Sequence, residues 1–349
     1  MSSTFYKGPV TPPIRALMGF ILGLVILSVA VRIFTVNSFD FEAYQHGTRL
    51  ILQGINPWAE ETRIHDFYNP PFSVLFLWPI LFTNSQFYHV IGGALLFAFV
   101  FYHKAWVGLA WFATNSMLWL LAAGGVNMFV IGGGLWLLLA ADRSNTKWAG
   151  IIFRVLAYGM LMVKPQGGVF IVLLYVLLRR DWKGVLISIL VYGLPFLNFY
   201  PDWLRVMLTD PPRAQTVANH SIMGQFGVLA AFAVALLVLV ARRWEYWQLG
   251  GALAGILTPY GMPGLPIFLT LTAVRKLAAI PIVIIFSGCL AALTWITPPA
   301  GVDYYAFLNP RMAVYHLSML GLALALACIS EPGSGEGEIS VRDWASRSH

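Results

Sequence analysis

Charge is what this chain has least of. Of 349 residues only 15 are acidic and 22 basic, 11% in all, against 58% hydrophobic residues and a mean hydropathy of +0.73. A soluble domain carries about 25% charged residues, so this composition excludes an ordinary soluble fold. Cysteine is nearly absent: Cys289 and Cys328 both fall inside apolar runs, which excludes a disulfide framework and makes them small packing residues. Metal-ligand patterns are scarce as well. His46, His65 and Asp66 are near one another in sequence, but their spacing matches no strong ligand set, so neither a metal nor any other cofactor is expected. There is no internal repeat, and the one low-complexity stretch is the polar, Gly/Ser-rich end at 331–349, which reads as a disordered tail.

What is present is grease in helix-sized portions. Apolar runs of roughly 16 to 20 residues recur from Leu17 to Ala327, close to what a helix needs to cross a hydrocarbon layer about 30 Å thick. The chain therefore reads as all-α, a polytopic transmembrane helix bundle forming one domain over 1–330. The first run, 14–36, is too long for a signal-peptide core and is expected to be retained. The net charge of +7 would suggest nucleic acid in a soluble chain. Here the bases fall in short loops, where topology explains them, and no nucleic-acid partner is expected.

The basic clusters set that topology. Arg143 with Lys147, Arg179 with Arg180 and Lys183, Arg242 with Arg243, and Arg275 with Lys276 are separated by two apolar segments each, so all belong on one side, the cytoplasmic one. Arg15 and Lys7 place the N-terminus there too. Five apolar segments lie between Arg15 and Arg143, near 14–36, 71–83, 86–102, 105–122 and 126–141, and an odd number cannot return the chain to the same side. The 71–83 run is the shortest, roughly 13 residues reaching about 20 Å, and is expected to be re-entrant or interfacial. About twelve crossings remain, with both termini cytoplasmic and a short helical outer loop over 37–86.

This parity gathers the unusual polar residues on the outer face. Asp40, Tyr44 and Thr48 share one side of a helix at i, i+4 spacing. Asp40 reads either as a general base at the bilayer boundary or as a helix cap, for which Ser38 is an equal candidate. Glu42 faces elsewhere and is the second carboxylate of interest. Tyr44, Trp58 and Tyr68 are aromatics able to stack on a sugar face. Lys164, an outer-side cation in a tight turn, can meet an anionic head group or phosphate, or else snorkel, and Gln166 adds an amide. His220 can donate to a phosphate, while Asn219 or Ser221 beside it can cap a helix. Arg154 lies inside a span, where it snorkels or pairs.

The order of motifs carries a resemblance. After the first span come Asp40-Phe41-Glu42-Ala43-Tyr44, Gly54-Ile55-Asn56-Pro57-Trp58, Tyr68-Asn69-Pro70-Pro71, Gly124-Gly125-Val126-Asn127, Lys164-Pro165-Gln166 with Arg179-Arg180-Asp181-Trp182, and Asn219-His220-Ser221. Over roughly 14–227 this resembles the glycosyltransferase 87 family of polytopic GT-C-type enzymes, which includes polyprenol-phosphate-mannose-dependent mannosyltransferases. The chain departs from the family's Tyr-Pro-Pro by inserting Asn69, and from its Gly-Gln-Val-Asn by placing Gly125 where the family has Gln.

The resemblance implies an inverting hexosyltransferase at the outer face of the cell membrane. It would move a sugar from a polyprenyl-phosphate donor to the hydroxyl of a glycan or glycolipid acceptor. Asp40 would be the base, with Glu42, Tyr44, Tyr68, Asn69, Asn127, Lys164, Gln166 and His220 around the substrates and membrane lipids as the remaining partners. The competing readings are a transporter or lipid flippase, and a non-catalytic scaffold of the same fold.

Overall fold

The computed structural model describes residues 11–34, 39–64, 67–123, 125–209, 220–241, 243–259 and 264–330, so the expected tail at 331–349 lies outside the described residues. Those residues build helices and no β-sheet. The first half carries α1 (Pro12–Phe34), α2 (Phe39–Leu52), α3 (Val74–Leu77), α4 (Ser85–His103), α5 (Asn115–Ala123), α6 (Asn127–Arg143), α7 (Lys147–Met162) and α8 (Pro165–Arg179). The second carries α9 (Trp182–Gly193), α10 (Tyr200–Thr209), α11 (Ile222–Phe226), α12 (Val228–Ala241), α13 (Tyr246–Leu257), α14 (Gly264–Leu271), α15 (Ala279–Ala291) and α16 (Tyr304–Cys328).

Fewer helices than expected are long enough to span a bilayer. Among the described residues α1, α4 and α16 pass on length and composition, and α9 with α10 makes a fourth if that pair, bent by 96°, counts as one span. Shorter apolar helices occupy Pro71–Phe82, Pro165–Arg179, Val228–Ala241 and Ala279–Ala291. The expected count of about twelve spans treats apolar runs as uninterrupted helix, and several are broken. The 105–122 run is a 3₁₀ helix over Trp106–Ala113, followed by α5 from Asn115. The 71–83 run is a 3₁₀/α/3₁₀ mixture whose Phe72, Val74, Leu77 and Ile80 point into the core.

Small residues let the long helices approach closely. A Cβ on Gly23 of α1 would sit 2.7 Å from the Ala94 Cα of α4, and one on Gly19 would sit 2.8 Å from Phe101. Elsewhere a Cβ on Gly250 of α13 would lie 2.7 Å from the Ile171 Cα of α8. Close approach of this kind drives helix association where the solvent is as apolar as the side chains. The outward faces agree: α1 buries only Gly19, Gly23, Leu27 and Val31 and turns Leu17, Ile21, Val25 and Val29 outward. A helix bundle with such an apolar surface is compatible with a membrane protein. Cys289 and Cys328 are free and exposed on that surface, rather than packed inside as expected.

Contacts among cations define one end of the bundle. Arg15 donates to the carbonyls of Phe101 and Tyr102 at the C-terminus of α4, at 3.2 and 3.1 Å, satisfying orphan acceptors of a helix end. Arg275 donates to the His103 carbonyl at 3.4 Å, and Arg143 lies 4.7 Å from the centre of the Tyr102 ring. Arg179 pairs with Asp142 at 2.8 Å. Arg154, within α7, pairs with Asp181 at 2.9 Å, and Tyr158 donates to the same carboxylate at 2.7 Å. Arg15, Arg143, Arg179 and Arg275, four of the residues from which the positive-inside argument starts, therefore meet at one end. Helix α8 runs from there to Lys164, about 22 Å away at 1.5 Å per residue.

Candidate active site

At that opposite end, α2 begins at Phe39, so Asp40 lies in its first turn rather than at its cap. One helical turn later the Tyr44 hydroxyl donates to the Asp40 carboxylate at 3.3 Å. The Lys164 ammonium donates in turn to the Tyr44 hydroxyl and lies 4.3 Å from the centre of its ring. Residues 120 positions apart thus form a carboxylate–phenol–ammonium chain. Helix periodicity sets its first link and the α7–α8 turn supplies the last. Pro165 at the first position of α8 makes that turn abrupt, since it has no N–H to leave unpaired.

The electrostatics of the chain follow from its enclosure. Burial pulls the Lys164 ammonium down to about 8 from its ordinary 10.5, while the Asp40 charge holds it up against that pull. Tyr44 is buried to 2% and its ring underlies the ammonium, so it holds Lys164 and offers no open face for a sugar. Glu42 points out into solvent. Thr48, one turn beyond Tyr44, is fully buried with its hydroxyl unpaired.

A cleft of about 180 Å³ opens at the α7–α8 turn, and Asp40, Tyr44 and Lys164 themselves do not line it. Val163 and Pro165, the two neighbours of Lys164, line it together with Tyr68, Asn69, Gln166, Val169, Met207, Thr258 and Pro259. Three of the sequence-derived candidates, Tyr68, Asn69 and Gln166, therefore share one wall system. The Asn69 amide nitrogen is buried without a hydrogen-bond partner, a donor aimed at nothing in the chain. The motif around Tyr68 is anchored from α10, where Trp203 donates to the Tyr68 carbonyl at 3.2 Å. Arg205 pairs with Glu60 at 2.7 Å, and Asn56 donates to Asp202 at 2.7 Å.

The remaining candidates lie elsewhere. Asn127 opens α6 with its amide folded over Gly125, where a Cβ would stand 3.2 Å from its nitrogen. His220 is fully buried, packed edge-on against Trp119 with ring centres 6.0 Å apart and beside His316 at 5.6 Å. Burial pushes the His220 imidazole down to about 3, so it is neutral at pH 7. Ser221 is the cap of α11, accepting from Gly224 N–H at 2.9 Å, and its hydroxyl donates to the Thr258 carbonyl at 2.6 Å. His220 thus stands one residue behind the cleft wall. Ser38, His65, Asp66 and Asn219 lie outside the described residues. Among the described residues no group of three or more His, Cys, Asp or Glu side chains is placed to hold a metal ion.

Sequence reasoning missed Met207, Thr258, Trp119 and His316. The first two carry no polar signal that separates them from packing residues. His316 did carry one, a lone imidazole in the apolar run of α16. Comparison of the chain with models of known families, with curated proteins and with solved structures finds no match.

Proposed function

We propose that this protein is an inverting glycosyltransferase that takes a sugar from a polyprenyl-phosphate donor and transfers it to a hydroxyl of a glycan or glycolipid acceptor at the extracytoplasmic membrane face. The observation that carries the reading is the Asp40–Tyr44–Lys164 chain beside a cleft whose walls include Tyr68, Asn69 and Gln166. Displacement at a sugar carbon needs a base for the incoming hydroxyl and fixed positive charge for the departing phosphate. Asp40 is the base. Lys164 is the cation, held in place by Tyr44, and the Asn69 and Gln166 amides donate to sugar or phosphate oxygens. A lipid-borne donor fits a site at the end of an apolar bundle, because its chain stays in the hydrocarbon while its head group reaches the cleft.

The test uses purified protein in lipid nanodiscs with polyprenyl-phosphate sugars, following release of polyprenyl phosphate. The wild type should turn over. Asp40→Asn should lose about a hundredfold or more in rate while still binding donor, the usual scale for a lost general base. Equal rates in the two proteins remove Asp40 as base, and failure of every donor to bind removes the transferase reading.

Two features favour a second reading, a membrane transporter. The broken segment at Thr114 and the 96° bend between α9 and α10 are discontinuities of the kind transporters place at their binding sites. Vesicle uptake of a labelled lipid-linked sugar without release of polyprenyl phosphate would select it.

A further inference from the structure

Away from the Asp40 chain, four segments distant in sequence bring uncharged polar rings together. Trp119 of α5 meets His220 at 6.0 Å between ring centres and Trp295 at 6.2 Å, and His220 meets His316 of α16 at 5.6 Å. Both histidines are essentially without solvent exposure. Yet neither nitrogen of His220 nor Nε1 of Trp119 has a hydrogen-bond partner, and His316 leans on no more than the Met312 backbone one turn earlier. A buried polar atom left unpaired costs about 1–3 kcal/mol, and three in one cluster point to a missing polar ligand.

The surroundings specify its chemistry. The described rings that meet here are uncharged and burial keeps His220 neutral, which favours a neutral ligand over an ionic one. Neutral imidazoles each offer one donor and one acceptor, and a hydroxyl offers the complement of both. Trp295, 64% exposed, is the outermost ring, and its Nε1 donates to Asn115 Oδ1 at 2.9 Å, which fixes its plane. An aromatic face beside hydroxyl-reading groups is how a sugar ring is held.

We propose that Trp119, His220, Trp295 and His316 form a second subsite, for a neutral hydroxylated ring, next to the cleft. Its link to the cleft is the Ser221–Thr258 contact. If the transferase reading holds, this subsite receives the acceptor sugar, while the cationic Lys164 side receives the donor. Binding of a neutral glycoside does not itself depend on that reading.

Methyl and octyl hexosides, with mannose, glucose and galactose as the ring, would be titrated into nanodisc-held protein. Tryptophan fluorescence and saturation-transfer NMR would report binding to wild type, His316→Leu, His316→Gln, Trp295→Ala and Gly288→Ala. Saturable binding is expected, weakened about tenfold by His316→Leu and by Trp295→Ala, since tenfold corresponds to about 1.4 kcal/mol, the scale of one lost polar or stacking contact. His316→Gln, which keeps a donor and an acceptor, and Gly288→Ala, whose added atom meets nothing within 4 Å, should bind as wild type does. Binding of both methyl and octyl forms marks a soluble glycoside, and binding of octyl alone marks a lipid-borne one.

The proposal is overturned if no hexoside saturates, in which case ordered water alone satisfies the rings, or if His316→Leu and Trp295→Ala both bind at wild-type strength. Should His316→Leu misfold, the exposed Trp295→Ala change carries the test. Hexoside binding without donor turnover would sink the transferase reading and leave this subsite standing.

Discussion

Lys164 is a side chain placed against its own stability. Its folded pKa near 8 lies below the ordinary 10.5, so between those values the unfolded chain keeps a proton that the folded chain has released. The contribution of this group to stability therefore rises as pH climbs from about 8 toward 10.5, and at pH 7 the protonated ammonium weighs against folding. Lys164→Met is expected to raise thermal stability by roughly 1 kcal/mol or more, one pKa unit being about 1.4 kcal/mol, and to abolish donor binding. A melting curve in nanodiscs beside a polyprenyl-phosphate binding assay checks both halves, and a destabilised variant would count against the argument. Binding to wild type should weaken as pH rises through about 8, and in Asp40→Asn the same fall should begin at lower pH, because the carboxylate that lifts the ammonium is gone. Asp40 and Lys164 were both legible as residues, through their positions beside apolar runs. Their contact was not, because no periodicity links positions 40 and 164. Tyr44 was legible only as an aromatic on the Asp40 face, and its service as the bridge depends on where α8 begins.

Among elements, α1 and α4 rest on glycine contacts that a sequence shows only as composition. The Cβ that Gly23→Val would add meets the Ala94 backbone, which no rotamer change can move, so α1 must shift off α4. A loss of about 1–3 kcal/mol is expected, the range for overpacking in a well-filled interior. Gly288→Ala and Gly321→Ala are the controls: both lie within helices, with nothing within 4 Å of the added atom. They should be neutral or stabilising by up to about 1 kcal/mol, from helix propensity alone. Reversible unfolding in detergent micelles reads all three, and a Gly23→Val protein as stable as the controls would show that α1 is loosely held. Element existence was largely readable from hydropathy, while element continuity was not. The 105–122 run contains Thr114-Asn115-Ser116, a helix-start signature inside an apolar stretch. Its apolar flanks masked the break, since 3₁₀ and α turns have the same composition. The Ser287 and Thr294 hydroxyls that satisfy Asn115, at 3.1 and 2.7 Å, come from more than 170 residues away.

For the whole molecule, the division of charge into two ends is the feature with the widest consequence. Arg15, Arg143, Arg179 and Arg275 meet around the ends of α4, α6 and α8, whereas Lys164 sits beyond the other end of α8 with Asp40 and the cleft. Positive charge is retained on the cytoplasmic side during insertion, so the first end should be cytoplasmic and the cleft extracytoplasmic. That orientation also suits the proposed lipid-borne donor, since nucleotide sugars are not expected outside the cell. Cysteines placed at Lys147 or Lys183, and at Gly54 or Glu60, in a Cys289→Ala/Cys328→Ala background test it in intact cells. An impermeant maleimide should label positions 54 and 60 directly and positions 147 and 183 only after permeabilisation. Glu60 is a suitable reporter because its Arg205 partner lies on α10, one helix after the cleft end of the bundle, and because an exposed ion pair of this kind contributes only about 0–1 kcal/mol to stability. Labelling of all four positions from the same side would contradict both the charge argument and the extracytoplasmic site. Reversed labelling would leave the fold intact, but would put Asp40 and Lys164 where nucleotide-borne sugars are available, and the donor class would then have to change with it.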